Sequence, residues 1–287
     1  MPTFDTPHPI SVSIDSSSCA GTVRVSASRR TDTVVAVRPA DEHSETDVRG
    51  AAETRVEYSS GRLTVRTPRP RNFGLFGRSP GVDVVVELPE GSSLEATLGA
   101  GSAQCSGTLG ECRLRTGAGD VRIENAASLV AHSGMGAVDA ERVSGDADLT
   151  TGSGRIQVRE VGGQAVLKNG NGDTWVGSVS GDLRANAANG SIVAEHTGAP
   201  VTASTAHGDI RLGDVVRGAT TLKSAAGRIE VGIRPGTAAR LDLHTHFGRV
   251  VNELDSTDGP ASEQRAEVRA RTGFGDIVIR RAPQEES

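Results

Sequence analysis

The chain has 287 residues, long enough for one or two domains, but only 2 % of them are aromatic, which suits thin layers with little room for rings. Its formal net charge of −5 is spread along the sequence and gives no footprint for nucleic acid, and no apolar run is long enough to cross a membrane. The start, MPTFDTPHPISVSID, lacks a basic segment followed by an apolar stretch, so no signal peptide and a cytoplasmic address are expected.

Residues 1–7 read as a polar terminus. Residues 8–100 read as irregular opening coils with inserted strands, at Ile10 to Ile14, Thr33 to Val37 and Val82 to Leu88. Gly21 is followed by Val23 and Val25, and Gly61 by Leu63 and Val65, an early form of the pattern that dominates later. Two stretches interrupt it: a polar, acidic loop at 38–55 with Asp41, Glu42, His43, Glu45 and Asp47, and a basic stretch at 66–81, RTPRPRNFGLFGRSPG.

From Gly101 onward a glycine recurs at 119, 136, 154, 172, 190, 208, 227, 248 and 275, mostly 17 to 19 residues apart. That period fits one coil of a β-solenoid. Seven and five residues before each glycine stand pairs such as Cys112 and Leu114, Leu129 and Ala131, Leu183 and Ala185, or Leu241 and Leu243. Two and four residues after it stand Val121 and Ile123, Ile156 and Val158, Ile210 and Leu212, or Ile277 and Ile279, with Asn252 as an exception. Spacing by two is strand spacing, so these columns point inward from two short strands per coil. Between them run polar residues such as Arg155, Gln157, Arg228 and Glu230, which face water. Three residues before the glycine runs a column of Thr116, Ser133, Thr151, Asn169, Ala187, Thr205, Ser224, Thr245 and Thr272, whose small hydroxyl and amide groups are suited to satisfying turn backbone groups.

These patterns predict an all-β fold, a single-domain parallel β-solenoid over residues 8–281 with coils of about 18 residues. Irregular coils fill 8–100 and regular glycine-turn repeats 101–281, and the handedness follows the general right-handed preference of parallel crossovers. A second polar loop is expected at 252–266, before a last coil at Gly275. The prolines near the start and the polar tail at 282–287 are expected to blunt the ends of the stack.

Chemistry-bearing motifs are sparse. Cys105 and Cys112 fall on inward columns and behave as small hydrophobes, and three cysteines with Cys19 cannot all pair within one chain. The turns Gly117-Ala118-Gly119-Asp120 and Gly170-Asn171-Gly172-Asp173 look like calcium-binding repeats, but the same column also holds Arg155, Arg228 and Arg249. His244 and His246 have a spacing able to seat a metal, yet the columns place His244 on an outward strand position and His246 in the turn. No P-loop, G-x-S-x-G or zinc motif is present, so no catalytic residue, metal or cofactor is expected.

Two features remain as candidate sites. Arg66, Arg69, Arg71 and Arg78 flank Phe73, Leu75 and Phe76 in a loop with the arginine–aromatic character of interfaces, which also suits peripheral contact with anionic lipid. Trp175, the single tryptophan, lies on an outward column and would be a glycan platform.

The strand–turn–strand units LRTGAGDVRIENA, LTTGSGRIQVREV, ASTAHGDIRLGDV and ARTGFGDIVIRRA, with VDVVVELPEGSSLEATLGAGS before them, resemble a bacterial family of β-strand-repeat domains of unknown function, the putative adhesins. The resemblance covers nearly the whole chain and implies a non-enzymatic solenoid, in some members linked to envelope stress. The expected function is therefore a scaffold or binding module for a protein or envelope component. The alternatives are a carbohydrate-binding or carbohydrate-active β-helix and a self-assembling structural protein.

Overall fold

The computed structural model describes residues 1–68, 79–254 and 264–283. The chain is all-β apart from one short helix, and it divides into two compact units, Met1–Ser144 and Gly145–Ser287. Both are parallel β-solenoids built as the columns predict, from strand, glycine turn and strand.

In the first unit, β1 (Thr3–Asp5) is followed by β2 (Ser11–Ala20), β3 (Val23–Ser28), β4 (Asp32–Pro39), α1 (Glu45–Glu53), β5 (Arg55–Ser59), β6 (Arg62–Arg66), β7 (Val82–Pro89), β8 (Ser93–Ala100), β9 (Ala103–Ala118), β10 (Val121–Met135) and β11 (Val138–Val143). The first coil, β2–Gly21–β3, is not at the edge. β2 pairs in parallel with both β6 and β8, and β3 with both β7 and β9. The later coil formed by β6 and β7 is therefore outermost. Its edge is covered: β5 pairs antiparallel with β6, β4 antiparallel with β7, and β1 antiparallel with β4. The helix packs on β4 and β7.

Two expectations for this region change. The stretch at 38–55 is not all loop, because Ser44 caps a helix whose Asp47 is buried and accepts the Gly81 N–H at 2.9 Å. Gly61 is not a coil glycine. With Ser60 (φ 50°) and its own φ of 75°, it makes the tight β5–β6 hairpin turn that positive φ at both central positions permits.

The second unit contains β12 (Ala147–Ser153), β13 (Ile156–Val161), β14 (Ala165–Asn171), β15 (Thr174–Val179), β16 (Leu183–Asn189), β17 (Ile192–Thr197), β18 (Val201–His207), β19 (Ile210–Val215), β20 (Gly218–Ala226), β21 (Ile229–Ile233), β22 (Thr237–Phe247), β23 (Val250–Asn252), β24 (Gln264–Phe274) and β25 (Ile277–Arg281). One sheet runs β12–β14–β16–β18–β20, stacked in register, and the other β13–β15–β17–β19–β21, with one register shift between Leu212 and Val215 in the β19–β21 pair. Then the order departs from the sequence. β24 pairs with both β20 and β22, and β25 with both β21 and β23. The last coil thus lies one place inside, and the coil of β22 and β23 forms the edge.

The inward columns are buried throughout the inner coils. Leu129, Leu149, Leu167, Ile192 and Val268 have no exposed surface. Leu241 and Leu243, predicted inward, are half-buried and Val250 is exposed, because their coil is covered on one side only. All ten turn glycines from Gly101 onward hold φ between 132° and 158°. At nine of them a Cβ would also collide with the carbonyl oxygen of the glycine in the adjacent coil, so the column admits nothing larger.

The hydroxyl and amide column works as expected. Thr116, Ser133, Asn169, Thr205, Ser224 and Thr272 are buried and donate to the carbonyl of a turn glycine in the neighbouring coil, at 3.0 to 3.1 Å. The aspartates that follow some glycines have the complementary task. Asp120, Asp173, Asp209 and Asp276 accept a turn N–H from the neighbouring coil, those of Ala137, Ser191, Arg228 and Arg249. What looked like a calcium ladder is a set of side-chain ties between coils.

Candidate functional site

Of the basic–aromatic stretch, Arg66 ends β6 and is exposed. Arg69, Arg71, Phe73, Leu75, Phe76 and Arg78 lie outside the described residues.

Trp175 projects from the outward face of β15, between Gln157 and Val193 on the adjoining strands. It is half-buried, and its indole N–H donates to Glu195 at 3.3 Å. The ring lies along the sheet over Gly177, where a Cβ would come within 3.1 Å of it. Glycine at 177 makes room for the indole.

The cysteines are free and buried. Burial pushes the Cys112 thiol up to about 12 and raises Cys105 further, so neither forms thiolate near neutral pH.

A site that sequence reading did not assemble lies on the other sheet of the second unit. The outward position four residues before each turn glycine carries Lys168, Asn186, Ser204, Lys223, Arg271 and His244 on successive strands β14, β16, β18, β20, β24 and β22. Beside this ladder the side chains shrink to Ala206, Ala225 and Gly273. The result is an open groove of about 930 Å³, whose polar wall includes Lys223, Arg271, His244, His246 and Asp242. Asp242 is 3.9 Å from Arg271. Ser204 donates to Asn186 at 2.7 Å.

The order of coils makes this groove. In sequence order Lys223 would neighbour His244, but the displaced last coil puts Arg271 between them. β22 runs on to Phe247, so His246 belongs to the strand and not to the turn. Its ring meets that of His244 edge-on, with centroids 5.0 Å apart. At the groove's margin Phe247 and Phe274 stack face to face, 4.9 Å apart and 60 % or more exposed. Among the described residues no three His, Cys, Asp or Glu side chains group as a metal would require. No helix in them is long and apolar enough to cross a membrane.

The chain matches the family model described as Toastrack DUF4097 over residues 11–280. Solved structures similar to it include a putative cell adhesion protein from Clostridium sporogenes, 11 % identical with a TM-score of 0.24 and 98 % of each chain covered. A putative adhesin from Bacteroides fragilis is 14 % identical with a TM-score of 0.31, covering 97 % of this chain and 96 % of that one. A putative lipid binding protein from Parabacteroides distasonis is 12 % identical with a TM-score of 0.36, covering 97 % and 95 %. No curated protein matches the sequence.

Proposed function

The chain belongs to the Toastrack DUF4097 family, and we propose that it works as a non-catalytic binding scaffold for an anionic polysaccharide. The observation that carries this reading is the groove of the second unit. Lys223 and Arg271 stand on adjacent strands, roughly 4.8 Å apart at the backbone, above a floor of alanine and glycine. Compact metabolites are normally held in enclosed pockets lined by apolar groups. An open groove running across strands, with cations and neutral hydrogen-bonding groups in file, suits an extended chain that repeats its negative charges.

The attraction has to be local. The protein as a whole carries −5, which repels a polyanion at long range and leaves the groove cations to select it at short range.

Affinity electrophoresis of the full chain in gels containing polygalacturonate tests this, with neutral dextran as the comparison. Retardation in the first gel alone is expected, and the Lys223→Ala/Arg271→Ala variant should lose it. Failure of the wild type to be retarded, or equal retardation of the variant, overturns the reading. Trp175→Ala serves as the second arm. If retardation depends on Trp175 and not on the cations, the indole is the platform and the cationic groove is not the site.

A further inference from the structure

The edge formed by β22 and β23 has a neighbouring coil on one side only among the described residues. In the inner coils the residue seven before the turn glycine hands its N–H on to the next coil: Ala147 to Gln164, Ala165 to Asp182 and Leu183 to Pro200, at 2.9 to 3.0 Å. Leu241 occupies that column in β22, where no next coil follows among the described residues. Its backbone polar groups, and by alternation those of Leu243, therefore face outward along an edge strand of 11 residues. The same two leucines are half-exposed on the inner face. Bare edges of this length and apolarity are templates for another strand.

We propose that the occupant is a second copy of this chain, its β22 pairing antiparallel with the first about a two-fold axis at Leu241. The register follows from charge. An isologous contact must be complementary to itself. Centred on Leu241, the two leucines exchange hydrogen bonds with each other, and Arg240 of each copy stands opposite Asp242 of the other. Those are positions without mutual hydrogen bonds, where side chains approach most closely, with Cα atoms about 4.5 Å apart. Leu243 then meets Ala239 on the inner face.

Neighbouring registers are worse. Centring on Arg240 or on Asp242 sets a charge against its own copy. Centring on Leu243 sets Arg240 against His246 and Asp242 against His244, and so gives up both Arg240–Asp242 pairs. Arg240 and Asp242 are both exposed, so they can be exchanged without disturbing the core.

Sedimentation velocity of the full chain and its variants tests the dimer and its register together. The wild type should dimerise. Arg240→Asp alone sets two acids against each other, and Asp242→Arg alone sets two arginines, so each should weaken the dimer by about tenfold or more. Mixed one to one, the two single variants restore both opposite-charge pairs and should recover a heterodimer. A wild type that stays monomeric as concentration rises overturns the proposal, as do single variants that dimerise like the wild type. So does a mixture that fails to recover. None of these outcomes depends on polysaccharide binding, which is read in a separate assay.

Discussion

Each unit ends in the same manoeuvre and then treats its edge differently. In the first, the coil of β2 and β3 lies inside that of β6 and β7; in the second, the coil of β24 and β25 lies inside that of β22 and β23. The outermost coil of the first unit is sealed by antiparallel β5, β4 and β1 and by α1. That of the second is bare among the described residues and shows Leu241, Leu243 and Val250. A repeat cannot close itself, because every coil presents the same open edge that the next one covers. Closing it takes sequence that leaves the repeat, and the irregular opening third supplies this for one unit only.

The largest expected contrast lies in the glycine column. Gly208 is held at φ 147° between coils, and a Cβ there would collide with the Gly190 carbonyl. Gly208→Ala should cost about 3 kcal/mol or more in denaturant unfolding, from strain and overlap together. Gly248 has the same conformation, φ 157°, and the same collision, with Gly275. Its coil is free to move away on one side, so Gly248→Ala should cost only about 1 kcal/mol, as local fraying. Equal losses would mean that the edge coil is held as rigidly as an inner one.

Next comes the seal itself. Asp47 is 1 % exposed and accepts the Gly81 N–H, fastening the helix to the strand it covers. Asp47→Ala leaves that buried donor unmet and should lower stability by about 2 kcal/mol. Asp47→Asn, which keeps an oxygen acceptor, should cost clearly less. If the two variants melt alike, the hydrogen bond is not what fastens the helix.

The inner coils were legible from the sequence because each repeats its neighbour's packing problem, so the columns around Leu149, Leu167 and Ile192 average out local exceptions. The ends were not, since which coil is outermost depends on pairings between distant segments. A trace of it was present: the interval from Gly248 to Gly275 is 27 residues, enough chain to pass over one coil and return. The helix escaped because its nine residues have no apolar stripe, only Asp47 and Gly50 being buried, although Ser44 followed by Asp47 is a capping signal. The cationic groove was hidden for the same reason as the edge. Lys223 and Arg271 are 48 positions apart and become neighbours only through the displaced coil.

The smallest effect concerns how the bare edge is tied on. Asp276 in the last coil accepts the Arg249 N–H of the edge coil at 2.8 Å, and this bond, aided by the Arg249 guanidinium, holds its carboxyl below the usual carboxylate range. A depressed carboxylate contributes stability above its unfolded value, about 3.9, and loses it as pH falls through the lower folded value. Acidification from about pH 5 toward the folded value should therefore loosen the Arg249 turn while the inner coils remain protected. Arg249 amide exchange reports it directly: protection should drop with acid in the wild type and be independent of pH over that window in Asp276→Asn, which keeps an acceptor but cannot titrate. The sealed end has a counterpart in Asp32, whose carboxyl is lowered by Arg30, but β4 there pairs with β1 over residues 32–34 and with β7 over residues 34–39. The same acid step should leave the β4 amides protected. Loss of protection at both ends together would show that the antiparallel strands hold their edge no better than a single side-chain tie holds the other.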